Sequence, residues 1–402
     1  MARIYDRWWK TVDGQKTPTK AHGTERRWQV RYEDPDGRER TKTFRRKPDA
    51  QRFLDETTAD LMTGRYVSPE AGRVRLREHA ERWLAAQTFD PSTREAVEGR
   101  LRTHVYPHLG DVELRNLRPS TVQAWLRGRQ QDLAASYVRV LLANLSAVLG
   151  AAVADGLITT NPCASPAVKA PAMDRSRIVP WTREQVEAVV AAHPDRYRAV
   201  PVVAVGCGLR QGEAFGLRVE DVDFLRRRLL VRRQVKLIGG RPVYAPPKGG
   251  REREVPLPDV VSVALAEHLR VRPARTVELP WRDLGGERVK AQLVFTSRES
   301  GPLERNHYNR QTWKPSLVRA GIEPTRANGM HALRHHYASV LLDGGVSIRA
   351  LAEYLGHADP GFTLRVYAHL MPESEDRARS VVDAALVPRA LAESQRNGEA
   401  GQ

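Results

Sequence analysis

A cluster of histidines surrounds an arginine in the segment HALRHH, which begins at His331. His331 and Arg334 stand at i and i+3, so on a helix they would share one face. The pair would combine a proton carrier with a planar cation that binds phosphate oxygens. Two other interpretations stay open: core histidines, or a metal site from His331 and His335 at i and i+4. The metal site is the weaker one, because no acidic residue stands inside the motif.

Two further cations lie upstream beside glycines. Arg210 stands in the segment GLRQGE, where a helix start would present its guanidinium to a phosphate. An ordinary surface ion pair between Arg210 and Glu213 explains the same residues. Lys248 stands in the turn segment PKGG. A mobile lysine there can protonate a leaving oxygen, although most turn lysines are only solvated.

A fourth motif joins His357, in the segment LGHA, to Tyr367 ten residues later. An isolated tyrosine near the end of a chain is usually a packing residue. A phenol is also a poor nucleophile at neutral pH, because its ordinary pKa is about 10. A reactive Tyr367 therefore requires a base and a positive field, which the histidines and cations above can supply.

The order of these motifs is more specific than any one of them, and it resembles the signature of the tyrosine site-specific recombinase family, phage integrase type. The six matching residues are Arg210, Lys248, His331, Arg334, His357 and Tyr367. Two departures are visible. Ala332 stands where an aspartate is usual, which puts one capping or supporting contact in doubt, and the loop after Lys248 reads GGR where a threonine or serine is common. Neither departure removes a residue that does chemistry.

This resemblance implies that Tyr367 attacks a DNA phosphate, forms a 3′-phosphotyrosyl link and releases a 5′-hydroxyl. His331 would take the tyrosine proton, and Lys248 would protonate the departing 5′ oxygen. The groups expected to stabilise the non-bridging phosphate oxygens are Arg210, Arg334 and His357. Because the ester keeps the energy of the broken bond, the reaction is expected to need no cofactor, ATP or metal.

The resemblance also implies a mainly α fold with small β elements. Residues 1–66 would form a β-sheet and helix domain that binds arm-type DNA sites, and residues 72–168 a helical domain that binds core sites. Residues 176–386 would form the tyrosine-recombinase catalytic domain, and residues 387–402 a disordered tail. The helical and catalytic domains would close on duplex DNA as a C-shaped clamp.

The first segment has the pattern of a small sheet followed by a helix. Trp28, Val30 and Tyr32 alternate with polar residues, as in a half-buried strand. The letters DPDG at 34–37 predict a turn into a second strand over about 38–44. The many basic residues indicate either a solvated charged sheet or a reader of a DNA groove. The side chains assigned to DNA contact are Arg31, Arg40 and Lys42, with Lys169 in a later connector.

Local signals predict helices in the other two segments. Asp90 before Pro91 is typical of a helix start. Apolar residues at helical spacing over 138–152 predict a core face. Thr182 begins a capping box ahead of another helix. An amphipathic helix over 373–386 is suited to docking on a neighbouring protomer.

The third segment also contains a predicted hairpin. Its strands would cover 229–237 and 241–245 around a Gly-Gly turn, and a further strand would follow at 254–257. The remainder of this segment is predicted to be mostly helical.

Charge indicates a polyanionic partner. Lys and Arg number 65 against 48 Asp and Glu, which gives a formal net charge of +17. Nucleic acid is the usual partner of such a chain, and a generally basic surface is the ordinary alternative. The two cysteines, Cys163 and Cys207, lack metal-type spacing. Without an apolar signal core or a bilayer-length apolar run, we expect a cytoplasmic, nucleoid-associated protein that does not meet a membrane.

The expected partners follow from the resemblance. They are attachment sites in double-stranded DNA, a homotetramer on that DNA, an excisionase as directionality factor, and a DNA-bending host protein. Rival functions are a resolvase or transposon recombinase of the same chemistry, a monomeric type IB topoisomerase, a catalytically silent DNA-binding protein, and a metal-dependent nuclease. The basic N-terminal segment favours an integrase that inserts or excises a mobile element, and the complete set of six residues argues against a silent protein.

Overall fold

A computed structural model of the chain shows two compact units, Met1–Arg175 and Ser176–Gln402. The structure describes residues 2–12, 14–35, 37–64, 66–68, 70–173 and 179–370, with isolated positions at 379, 382 and 385. Apart from those three positions, the helix expected over 373–386 and the tail expected over 387–402 lie outside the described residues. The fold is mainly helical with small β elements, as predicted.

The first unit begins with five short strands and a helix. They are β1 (Arg3–Asp6), β2 (Trp9–Val12), β3 (Gln15–Pro18), β4 (Trp28–Glu33), β5 (Glu39–Phe44) and α1 (Lys47–Met62). All pairings are antiparallel: β4 lies between β1 and β5, and β2 pairs with β3. The predicted β4, β5 and following helix are confirmed, whereas β1 to β3 were not predicted. Val30 and Tyr32 are buried against α1, since alternate residues of a strand face the same side.

Five helices with their own apolar core complete the first unit. They are α2 (Leu76–Ala86), α3 (Pro91–Arg100), α4 (Tyr106–Leu109), α5 (Pro119–Asp132) and α6 (Ala135–Ala154). A π-helical turn over Leu101–Val105 joins α3 to α4. The predicted start of α3 is confirmed, because the Asp90 carboxylate accepts a hydrogen bond from the Ser92 amide at 3.0 Å.

Helix α6 carries the predicted apolar stripe. Its fully buried residues are Val138, Leu141, Leu145, Val148, Leu149 and Ala152. Within the described residues it is also the one helix long and apolar enough, by composition, to cross a membrane. That observation is weak, because the core helix of a globular domain passes the same test, and α6 packs against α2 and α5.

The second unit contains nine helices within the described residues. They are α7 (Arg183–Ala191), α8 (Ala199–Gly206), α9 (Gln211–Phe215), α10 (Asp259–Val271), α11 (Arg305–Tyr308), α12 (Lys314–Arg319), α13 (His331–Asp343), α14 (Ile348–Leu355) and α15 (Pro360–Tyr367). The predicted capping box of α7 is confirmed: Thr182 and Gln185 each bind the other's backbone amide. Helix α8 packs against α10 and α13, so it forms the centre of this unit.

Seven strands of the second unit form three small antiparallel sheets. They are β6 (Val222–Asp223), β7 (Arg228–Val231), β8 (Gln234–Ile238), β9 (Arg241–Ala245), β10 (Arg253–Pro256), β11 (Arg275–Pro280) and β12 (Arg288–Leu293). The β8–β9 hairpin is confirmed. The prediction of one strand over 229–237 is wrong, because the chain leaves one sheet after β7, which pairs with β6 and β10, before β8 begins. The β11–β12 hairpin lies in a region predicted to be helical.

A glycine fixes the entry to the segment that carries Arg210. Gly208 has a φ of +61°, a conformation that residues with a side chain rarely adopt. A Cβ atom at this position would also lie 2.5 Å from the ring of Tyr337 on α13. The turn before α9 therefore packs directly on α13, the helix that carries the HALRHH motif.

Candidate active site

Arg334 is the centre of the site. It lies on the buried face of α13 with 1% of its surface exposed. Its Nη1 donates to the Gly208 carbonyl at 2.7 Å, and its Nη2 donates to the Leu355 carbonyl and to Nε2 of His357, the latter at 3.2 Å. One guanidinium thus ties together the segments that carry Arg210 and His357, which are far apart in sequence.

Arg210 is held by Glu213 at the start of α9. The Glu213 carboxylate accepts from the Arg210 backbone amide and from its Nη1, both at 2.8 Å. The sequence suggested this pair as a surface feature, but the Glu213 side chain is fully buried. The pair therefore fixes the arginine inside the site, and the rest of its guanidinium stays available to a ligand because 21% of the side chain is exposed.

Arg253 on β10 is a second buried partner of Glu213. Its Nη1 and Nη2 donate to the two carboxylate oxygens at 3.0 and 2.7 Å, and its Nε donates to the Tyr354 carbonyl at 2.7 Å. Burial opposes ionisation of Glu213, but the hydrogen bonds and charge of Arg253, and then the charge of Arg210, outweigh it. The pKa of Glu213 is consequently lowered to about 2.

His357 follows the end of α14. Gly356 ends that helix in the left-handed conformation, with φ of +63°, as is common at helix C-termini. The His357 Nε2 faces Arg334, and its Nδ1 lies 2.7 Å from the Thr363 hydroxyl on α15. Burial, and then the charge of Arg334, lowers the pKa of His357 to about 4, so the ring is neutral at neutral pH.

Tyr367, the last residue of α15, lies in the same cluster. Only 2% of its surface is exposed. Its Oη lies 2.8 Å from Nδ1 of His335 on α13. Burial raises the pKa of the phenol, and the positive charges of Arg334 and Arg210 lower it in part.

His331 is the exposed first residue of α13. Its ring meets the ring of His335 edge-on, with centroids 4.6 Å apart. No side chain caps the helix start, which agrees with the absence of an aspartate at Ala332. His331 thus borders the cluster, while His335, one turn further along α13, contacts Tyr367 directly.

Lys248 lies on an exposed turn between β9 and β10. The turn is closed by a hydrogen bond from the Gly250 amide to the Pro247 carbonyl at 2.8 Å. Gly249 and Gly250 both have positive φ. Among the described residues, no hydrogen bond or ion pair holds the Lys248 ammonium. The structure therefore does not bring this lysine into the cluster around Arg334.

The cluster carries an excess of positive charge. Arg210, Arg253 and Arg334 converge around one carboxylate, that of Glu213. Burial, and then the neighbouring charge of Arg210, lowers the pKa of Arg334 to about 9. An anion placed at the exposed side of Arg210 would relieve this repulsion. The arrangement is that of a site for a phosphate-like group.

No group of three or more histidine, cysteine or acidic side chains within the described residues is placed to hold a metal ion. The alternative of a metal on His331 and His335 uses two rings that do come together. One ring nitrogen of His335 is already bonded to Tyr367.

The predicted DNA-contact residues of the N-terminal sheet lie on different faces. Arg31 points away from α1 and stacks on Tyr5, its guanidinium carbon 4.9 Å from the ring centre. Arg40 lies on the helix side, with ion pairs to Asp34 at 2.8 Å and Glu70 at 2.7 Å. Lys42 shares that side.

Two further lysine contacts complete this set. The Lys42 ammonium lies 4.2 Å from the ring centre of Phe53 on α1. Lys169 is exposed, and its backbone amide donates to the Gln123 side chain at 2.7 Å. Of the four candidates, Arg31, Lys42 and Lys169 are exposed, whereas Arg40 is bonded inside its own domain.

Sequence reasoning did not assign three residues that the site uses. His335 was considered only as a metal ligand, and its i+4 spacing from His331 was the available signal. Arg253 shares a strand face with buried Val255, which marks it as inward-facing. Thr363, which orients His357, gives no signal in the sequence.

Comparison with known proteins agrees with this geometry. The profile of the phage integrase family matches residues 181–374, and that of the phage integrase central domain matches residues 76–167. The prophage phiRv2 integrase of Mycobacterium tuberculosis is 30% identical over 388 residues, which cover 92% of this chain and 94% of the relative.

Solved structures share the fold. The Tn1549 transposon integrase (residues 82–397), in complex with transposon right end DNA, aligns with a TM-score of 0.66 at 20% identity, over 78% of this chain and all of that one. A lambda integrase tetramer bound to a Holliday junction aligns with a TM-score of 0.56 at 20% identity, over 86% of this chain and 93% of that one.

The chain belongs to the phage integrase family of tyrosine recombinases. It is a site-specific DNA recombinase, an enzyme of DNA strand exchange.

Proposed function

We propose that the buried cluster is the active site of this recombinase and that Tyr367 is its nucleophile. The observation that carries the proposal is the Arg334 guanidinium, which links the segments of Arg210 and His357 beside the Tyr367 phenol. In the proposed reaction, Tyr367 attacks the scissile phosphate and forms a 3′-phosphotyrosyl ester. A free 5′-hydroxyl is released and later attacks that ester to rejoin the DNA.

Three side chains are proposed to bind the scissile phosphate. Arg210 and Arg334 would neutralise its non-bridging oxygens, where charge develops in the transition state. His357 would add a hydrogen bond. Glu213 holds Arg210, the Gly208 and Leu355 carbonyls hold Arg334, and Thr363 holds His357 before DNA arrives. Little reorganisation is therefore needed when the phosphate binds.

Lys248 and His331 are proposed to complete the site from its edge. Lys248 would protonate the departing 5′ oxygen from its exposed turn, in which Gly249 and Gly250 both adopt positive φ. His331, which the sequence suggested as the acceptor of the tyrosine proton, contacts the ring of His335 at the edge of the cluster.

The test of the nucleophile uses a nicked duplex that carries the direct repeat expected to flank the integrated element. Cleavage beside the nick loses the short strand, so the covalent complex accumulates. We expect Tyr367→Phe to bind this DNA but form no adduct on denaturing electrophoresis. Tyr354→Phe is the matched control. Tyr354 lies on α14, the helix before the one that carries Tyr367, and this variant should form adduct normally. An adduct in Tyr367→Phe would assign the reaction to another nucleophile.

We further propose how the segments divide the work of DNA binding. Residues 1–66 would bind arm-type sites through the open face of the sheet that carries Arg31, and residues 72–168 would bind the core site. Residues 176–386 would form the catalytic domain, followed by a tail over 387–402. The two family profiles support the second and third assignments. The central-domain profile ends at residue 167 and the phage integrase profile begins at residue 181, so the boundary between the two segments falls in this gap.

The proposed partners are attachment sites in double-stranded DNA and three further copies of the chain. The tetramer is inferred because exchange between two duplexes requires four nucleophiles, and the lambda integrase neighbour is a tetramer on a Holliday junction. An excisionase and a DNA-bending host protein would set direction, and the chain would act in the cytoplasm at the nucleoid. Cross-linking on DNA with the flanking repeat should trap four protomers on one synapse.

A further inference from the structure

Two histidines of α13 are candidates for the residue that accepts the Tyr367 proton. His331 and His335 are four residues apart and therefore lie on one face of the helix, one turn from each other. His331 is the exposed first residue, and the described contact of its ring is with His335. His335 is deeper, and its Nδ1 lies 2.8 Å from the Tyr367 Oη. Only His335 touches the atom that would form the new bond.

The state of His335 suits an acceptor. Burial, and then the adjacent charge of Arg334, lowers the pKa of His335 to about 4. The ring is therefore neutral at neutral pH and has one nitrogen lone pair. The phenol of Tyr367 is a hydrogen-bond donor at that pH, because burial raises its pKa. The pair is consequently O–H to Nδ1, with the remaining ring hydrogen on Nε2.

We infer that His335 is the catalytic residue that accepts the Tyr367 proton, an inference that rests on the proposed role of Tyr367 as nucleophile. As the phenol oxygen bonds to phosphorus, its proton moves to Nδ1 of His335. The bond from phosphorus to the 5′ oxygen breaks, and that oxygen leaves with the bonding pair and takes a proton from Lys248. On rejoining, the 5′-hydroxyl returns its proton to Lys248 as its oxygen attacks phosphorus, and the imidazolium of His335 gives its proton to the departing phenolate.

Bound DNA favours this transfer. In the DNA-free protein, burial and then the positive charge of Arg334 oppose protonation of His335. A phosphodiester held by Arg210 and Arg334 brings a negative charge next to both arginines. It therefore offsets the charge that depresses the basicity of His335. The scissile phosphate therefore makes His335 a stronger proton acceptor than it is in the DNA-free protein.

The first arm of the test measures single-turnover formation of the covalent complex on the nicked duplex. We expect His335→Ala to slow it by about a hundredfold or more, the usual weight of general base catalysis. His335→Asn should also be slow, because an amide can accept the hydrogen bond but cannot take the proton. The matched control is His336→Asn, since the Nδ1 of His336 bonds the Trp181 carbonyl at 2.8 Å and serves packing. It should stay within a few-fold of wild type.

The second arm of the test uses a leaving group that needs no proton from His335. In a Tyr367→Phe background, the protein joins a 5′-hydroxyl strand to a strand ending in a 3′-p-nitrophenyl phosphate. The 5′-hydroxyl oxygen attacks phosphorus, its proton passes to Lys248, and p-nitrophenolate leaves without protonation, because its phenol is far more acidic than tyrosine. Adding His335→Ala should leave this rate unchanged. A residue that only shapes the site would slow both reactions equally.

The outcomes distinguish the role of His335 as proton acceptor from the role of Tyr367 as nucleophile. Wild-type cleavage by His335→Ala, or equal defects in both arms, would overturn the role of His335 while leaving Tyr367 as nucleophile. Covalent complex from Tyr367→Phe with an intact His335 would instead overturn the proposed function. Loss in the first arm alone, with normal joining in the second, supports both.

Discussion

The arginines around Tyr367 and the arginines of the N-terminal sheet differ in what surrounds them. Arg334 and Arg253 are almost completely buried, and each donates several hydrogen bonds to fixed protein oxygens. Arg31 on β4 is about half exposed and is held by stacking on Tyr5 and a 3.5 Å ion pair with exposed Glu39. The same residue type is therefore a buried, hydrogen-bonded part of one cluster and a half-exposed surface charge on the sheet.

This difference has an energetic consequence. A buried cation must be compensated, and in the cluster around Arg334 the compensation comes from the Glu213 carboxylate. The benefit under the proposed function is a phosphate site that is already organised before DNA binds. An exposed arginine loses little on its own and gains only when it neutralises a phosphate. Changes to the buried arginines should alter folding and chemistry together, whereas a change to an exposed arginine such as Arg31 should alter DNA affinity alone.

The largest expected effect is that of Glu213→Gln. It would leave Arg253, Arg210 and Arg334 without their buried counter-charge, at a cost of about 3–5 kcal/mol. Scanning calorimetry of the full chain should show a clearly lower melting transition and covalent complex formation should be lost. Glu220→Gln is the control, because Glu220 is 63% exposed in its pair with Arg218. Equal shifts in both variants would contradict the special role of Glu213.

Acid should weaken the same cluster. The pKa of Glu213 is about 2 in the folded chain and 4.5 in its ordinary state. Because the folded value is the lower one, the stabilisation is fully present above about pH 4.5 and is lost as the pH falls towards 2. The difference corresponds to a loss on the order of 3 kcal/mol. Melting temperatures recorded across this range should fall in wild type and stay flatter in Glu213→Gln.

Lys248→Ala tests the proposed role of a lysine that lies on an exposed turn outside the cluster around Arg334. If Lys248 protonates the 5′ oxygen, its loss should slow cleavage of ordinary DNA by roughly a hundredfold. With sulfur in place of the bridging 5′ oxygen the defect should vanish, since a thiolate leaves without a proton. Arg210→Ala should show no such rescue, because it stabilises non-bridging oxygens. Equal defects of Lys248→Ala on both substrates would make Lys248 a DNA-holding residue.

The smallest effects are expected for Arg31 and Arg40, which lie on opposite faces of the N-terminal sheet. Arg31→Ala should keep its melting temperature and lower the slope of log affinity against log salt by about 1 on duplex DNA. Arg40→Ala should keep the salt slope but destabilise its domain by about 1–3 kcal/mol, because buried Asp34 loses its charged partner. Fluorescence anisotropy and thermal melting measure the two quantities. An unchanged salt slope in Arg31→Ala would show that the face of the sheet that carries Arg31 does not bind DNA.

Local sequence patterns predicted local structure well. The Asp90 cap, the Thr182 capping box, the α6 stripe and the β8–β9 hairpin are all confirmed, because each depends on contacts between residues close in the chain. The strand over 229–237 was predicted wrongly for the opposite reason. The apolar pattern continues across the break, but β7 finds its partner in β10, far along the sequence.

The sequence by itself determined the family and the order of the six motif residues, and it was enough to propose Tyr367 as the nucleophile. Only the tertiary structure decided which groups meet. On α13, i+3 and i+4 positions share a face, so spacing could not tell whether His331 or His335 meets Tyr367. The bond from Arg334 to Gly208 and that from Arg253 to Glu213 join residues distant in the chain. Such contacts depend on how helices and strands pack, which no local pattern encodes.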